Sequence, residues 1–131
     1  METYTLKRTG NRPLRFEGDL IAEESTRIMN GQENNRWHEF HLYRTSGGRF
    51  FLSVTYDSHW QGEERNYRVE ELGSIESVTK FLRHEYDPLE FTGIWPEGSR
   101  TENDTMHAKR LLRNYNLAVS EILSEFPEDI A

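Results

Sequence analysis

Cysteine is absent from this chain of 131 residues, and with it go disulfides and thiolate metal sites. Long apolar runs are missing too. Nowhere do about 18 apolar residues follow one another, and the opening METYTLKRTG holds no apolar stretch of signal-peptide length. No membrane span and no export signal are expected, and the cytoplasm is the expected compartment. The apolar share, 34%, is low for a folded protein. Seven Phe, six Tyr and three Trp nevertheless supply the large buried areas that a disordered chain lacks. A chain of this length buries about two thirds of its unfolded surface, so one core suffices and a single domain over residues 1–131 is expected.

Lysine is scarce as well: 13 of the 16 basic residues are arginine, the side chain suited to planar, bidentate contacts. Acids outnumber bases and leave a net charge of −7, which argues against non-specific binding to nucleic acid because the bulk field repels phosphate. The charge is uneven. Lys7, Arg8, Arg12 and Arg15 face Glu2 alone in the first 15 residues, whereas residues 85–104 carry six acids against Arg100, and four more acids follow from Glu121 onward. Such a bipolar surface suits a solvated shell first, and the docking of a charged partner as the sharper alternative.

Periodicity predicts an α+β fold. Strands are expected at Tyr4–Thr9 and at Leu14–Glu23, the latter with Leu14, Phe16, Gly18, Leu20 and Ala22 on one face. Residues 25–35, rich in Asn and Gly, read as a mobile loop. Two further strands, Trp37–Thr45 and Arg49–Asp57, flank Ser46, Gly47 and Gly48. A three-residue loop there sets Arg44 against Phe50, Leu42 against Leu52 and Phe40 against Val54, so that apolar meets apolar. Another strand is expected at Asn66–Leu72, and then a short helix capped by Ser74 and running to about His84. Residues 86–104 form an irregular connection pinned by Phe91, Ile94 and Trp95. From a cap at Asp104 or Thr105 to Phe126, apolar residues recur at helical spacing until Pro127 ends the run. The architecture expected is an antiparallel meander of four or five strands, with the short helix and a long C-terminal helix packed on one face.

Few residue patterns in the chain carry recognisable chemistry. In His38-Glu39-Phe40-His41 the histidines stand three apart in a strand and point to opposite faces, whereas the zinc-protease pattern needs them at i and i+4 on a helix. The acid pairs Glu63-Glu64 and Glu70-Glu71 read as ordinary surface. No phosphate-cradling glycine loop and no nucleophile elbow occur. No catalytic residue, metal ligand or cofactor is assigned.

The second face of the hairpin says more. The register places Trp37 opposite Asp57, Glu39 opposite Thr55, His41 opposite Ser53 and Tyr43 opposite Phe51, four rings among polar groups. Such a face is either covered by residues 86–104 or by the N-terminal strand as a second small core, or serves as a recognition platform. Trp37, His41, Tyr43 and Phe51, with Trp60 and Arg65 in the neighbouring loop, are the candidate partner-binding residues. The expected role is that of a non-enzymatic binding or regulatory protein, an acidic inhibitor or accessory factor that meets a basic protein partner. One alternative is single-stranded nucleic-acid binding on the same face, with Arg15, Arg36, Arg44 or Arg49 reaching phosphates. From Leu14 to His84 the order of four strands and a helix resembles that of PUR-type and Whirly-type nucleic-acid modules, which implies an exposed sheet face. A third reading is a small-ligand carrier or enzyme with a pocket between the sheet and the long helix.

Overall fold

The computed structural model describes residues 1–128; Asp129 of the acidic tail lies outside them. The elements in order are β1 (Glu2–Arg8), β2 (Asn11–Ser25), β3 (Ile28–Met29), β4 (Gln32–Glu33), β5 (Arg36–Thr45), β6 (Phe50–Ser58), β7 (Asn66–Leu72), α1 (Ile75–Lys80) and α2 (Glu102–Leu123). Five strands form one antiparallel sheet in the order β1-β2-β5-β6-β7. The α+β meander with a short helix and a long C-terminal helix is therefore the fold of this chain.

The β5–β6 hairpin takes the register that burial of its apolar residues demands, with Phe40 paired to Val54, Leu42 to Leu52 and Arg44 to Phe50. Gly48, at φ +80, supplies the left-handed residue of its three-residue loop, and Thr45 and Arg49 close it with a 2.8 Å backbone bond. The even face of β6 meets both helices. Phe50, Leu52 and Val54 join Val78, Phe81 and Leu82 from the first helical segment and Tyr115, Ala118, Val119 and Ile122 from α2 in one core. Ser74 caps α1 by accepting a 3.1 Å bond from the Ser77 N–H, and a π-helical turn extends it over Phe81–Glu85.

Four local expectations are corrected. Residues 25–35 are no plain loop: β3 and β4 pair as a ribbon around Asn30 and Gly31, both at positive φ. In β2 a bulge between Leu20 and Ala22 breaks the period of two, so Phe16 and Ala22 face opposite sides of the sheet, Phe16 toward Tyr43 and Ala22 into the helix-side core. The cap of α2 is Thr101, which accepts from the Asp104 N–H, rather than Asp104 or Thr105, and the helix stops at Leu123, three residues before Phe126. In the 86–104 connection Phe91 packs on the core, but Trp95 is 65% exposed and pins nothing. A stronger tie is polar: the Gly93 N–H donates to the Glu63 carboxylate at 2.8 Å.

The sheet curls until its edges meet. The Thr9 N–H donates to the Tyr67 carbonyl and the Tyr67 N–H to Thr9 Oγ1, both at 2.8 Å. This closure encloses the sheet face turned away from the helices. Gly18, on β2 opposite Thr45, is where two strands approach too closely for a side chain, because a Cβ there would overlap the Arg44 carbonyl. Gly18→Ala is accordingly expected to cost about 1–3 kcal/mol in urea denaturation. A variant as stable as the parent would contradict that approach.

Candidate functional site

The enclosed face has an aromatic end and a wet end. At the aromatic end Tyr4, Phe16, Tyr43 and Phe51 cluster at tilted angles, with Tyr4 and Tyr43 ring centroids 4.6 Å apart and Phe16 and Phe51 also 4.6 Å apart; Tyr43 is buried and the other three are half-buried. Burial first, then the neighbouring Tyr4 and the Glu23 carboxylate, push the Tyr43 hydroxyl pKa up, so Tyr43 stays neutral. The rings plug the curl because alternation along β5 and β6 and the parity of β1 and β2 bring them to one side.

The wet end is a cavity of about 490 Å3. From β5 it takes Trp37, Glu39 and His41, from β6 Thr55 and Asp57, and from β7 Tyr67; Arg27, His59 and Arg65 stand at its rim. Trp37 is only 3% exposed, and its indole N–H points to Glu39 at 3.4 Å. Above its ring lies the Arg27 guanidinium at 5.2 Å, while His59 packs edge-on at 4.9 Å. Asp57 is buried and accepts from Arg65 at 2.7 Å and from the Ser58 N–H at 2.8 Å. Arg65 also donates to the Tyr67 hydroxyl at 3.0 Å, and these bonds to Tyr67 and Asp57 raise its pKa further. The Thr55 hydroxyl, in a residue only 9% exposed, makes no hydrogen bond with any described residue and lines the cavity.

The six residues singled out from the sequence thus divide. Trp37, His41 and Arg65 line the trough, Tyr43 and Phe51 belong to its ring plug, and Trp60 lies elsewhere. Trp37 and Tyr43 are buried, not by residues 86–104: Tyr4 of the N-terminal strand packs on Tyr43, and Arg27 and His59 pack on Trp37. An open stacking platform is therefore not what this face presents. His38 and His41 do point apart, His38 into the core and His41 into the trough beside Glu23 at 3.6 Å. Among the described residues no group of three or more His, Asp or Glu is placed to hold a metal ion, and no helix is long and apolar enough to cross a membrane.

Arg27, Glu39, Thr55, Asp57, Ser58, His59 and Tyr67 complete the trough without having been singled out. Glu39, Thr55 and Asp57 were within reach, since they share the parity of Trp37; Tyr67 pairs with Thr55 and follows by register. No local signal points to Arg27.

A smaller hollow of about 70 Å3 lies on the helix side, between Asn34, Arg36 and Trp60 and the α2 residues His107, Arg110 and Asn114. Trp60, 42% exposed, is covered on one face by the Arg36 guanidinium at 4.7 Å. Compared with known proteins, the chain matches no family model, no curated protein and no solved structure.

Proposed function

We propose that the protein is a non-catalytic binding protein that takes a small ligand into the trough. The observation that carries this reading is a cavity of about 490 Å3 with buried polar walls, Asp57 and Thr55, beside a buried indole. A cavity of that size falls in the range of small-molecule sites, in which a few placed polar groups orient a ligand against an apolar wall. The ring cluster bounds one end of the trough, and Arg27 and Arg65 are among the side chains that line it. A thermal-shift panel of small anions, cations and zwitterions tests the reading. At least one compound is expected to raise the melting midpoint, and Thr55→Met, which projects a longer apolar side chain into the cavity and removes the hydroxyl, is expected to weaken the shift while leaving the ligand-free midpoint within a few degrees. Shifts unchanged in this variant, or a panel without any shift, would overturn it.

One observation favours a second reading, contact with a protein partner. Trp60 is half exposed and lies 5.6 Å from His107 on a surface that also carries the exposed Met106. Aromatic and methionine side chains of this kind are common anchors of interfaces. The nucleic-acid reading receives less support, since two of the rings that suggested it, Trp37 and Tyr43, are buried.

A further inference from the structure

The charges around the trough are unevenly paired. Arg65 is held by Asp57 at 2.7 Å, and His41 lies beside Glu23 at 3.6 Å. Glu39 has no cationic partner among the described residues; its one hydrogen bond is the 3.4 Å contact from the Trp37 indole. A half-buried carboxylate therefore lines the cavity uncompensated, next to an aromatic face. That face is occupied by a cation of the chain itself, the Arg27 guanidinium.

Arg27 is loosely held there. Its ion pair with Glu33 spans 3.6 Å with both side chains more than half exposed, an arrangement that contributes little in water. Its backbone, in contrast, is fixed. The Asn34 N–H donates to the Arg27 carbonyl at 2.7 Å, and the preceding Thr26 is locked to His38 by bonds of 2.9 Å in both directions. A rigid stem thus holds a displaceable cation over a ring that another cation can use, and the net charge of −7 draws cations toward the protein.

We infer that the trough takes an organic cation, an ammonium or guanidinium group that displaces Arg27 from the Trp37 ring and reaches the Glu39 carboxylate beside it. The inference rests on the trough being a ligand site, and the test separates the two. Agmatine and glutarate are titrated by calorimetry into the parent, Glu39→Gln and Arg27→Ala, each checked for an unchanged fold by circular dichroism. Agmatine is expected to bind the parent, about tenfold more weakly to Glu39→Gln and about threefold or more tightly to Arg27→Ala. Binding of glutarate in place of agmatine, weakened in Arg27→Ala, would overturn the cation while leaving the trough as a site. Absence of binding by both would overturn the cation, as would agmatine affinities equal in all three proteins; the trough itself falls only with a thermal-shift panel that shows nothing. A Gly-Gly-Arg-Gly-Gly peptide run alongside distinguishes the sources: tighter binding than agmatine places the cation on a protein chain, weaker binding makes it a free amine.

Discussion

Replacing Glu63 with alanine is expected to destabilise the protein by about 3–5 kcal/mol, the usual cost of leaving one member of a buried ion pair alone. Glu63 lies in the β6–β7 loop with its side chain 5% exposed and that of Arg36 11% exposed. Arg36 donates to it through Nε at 3.0 Å and through a terminal nitrogen at 2.7 Å. The Tyr56 hydroxyl and the Gly93 N–H donate as well. One carboxylate therefore ties β5, β6 and the 86–104 connection together. Without it Arg36 is left half-buried, and Tyr56, fully buried in the core, loses its partner.

Burial alone would raise the Glu63 pKa, but the bonds from Arg36, Tyr56 and Gly93 outweigh it and hold the pKa at about 2. The folded pKa lies below the unfolded one, so this stabilisation is complete above about pH 4.5 and is lost as the pH falls toward 2. Urea denaturation at pH 7 and pH 3 measures both effects. The parent and Glu63→Ala should differ markedly at pH 7 and less at pH 3. A variant within 1 kcal/mol of the parent at pH 7, roughly the value of an exposed pair, would contradict this role.

The second large effect is expected at His38. Its side chain is fully buried against Phe40, Tyr56, Tyr86 and Tyr115, and neither ring nitrogen has a hydrogen-bond partner. Burial drives its pKa down to about 3. The folded protein thus refuses a proton that the unfolded chain accepts near pH 6.5. Below that pH the unfolded state gains protons first, and stability falls by about 1.4 kcal/mol per pH unit until about pH 3. Leucine, of similar volume, removes both orphaned nitrogens and this acid sensitivity. His38→Leu should be at least as stable as the parent at pH 7 and about 2 kcal/mol further ahead at pH 5, where Glu63 is still ionised. Parallel stability curves for the two proteins between pH 7 and 5 would show that His38 takes its proton within the fold.

These two residues also mark where sequence reading succeeds and fails. The β5–β6 register was legible because both strands alternate cleanly and a one-residue slip would expose Phe40 and Leu42. The rings of Trp37, His41, Tyr43 and Phe51 followed from the same parity. The bulge at Leu20–Ala22 was hidden because Leu20, Ile21 and Ala22 are all apolar and fit either period. Glu63, beside Glu64, looked like ordinary surface, since its partner Arg36 stands 27 residues earlier. The curl depends on Thr9 meeting Tyr67 across 58 residues, a contact that no local pattern encodes. Without the curl the second face looks open, and with it the same face becomes a trough.

The three tryptophans provide the most direct test of that trough. Trp37 is buried in its wall, whereas Trp60 and Trp95 are exposed elsewhere. Their indole N–H signals in a 1H–15N spectrum therefore report on separate places at once. During titration with agmatine, and separately with glutarate, the Trp37 signal is predicted to move with at least one of the two while those of Trp60 and Trp95 stay fixed. A Trp37 signal that holds still throughout, with Trp60 moving instead, would contradict the trough as the ligand site.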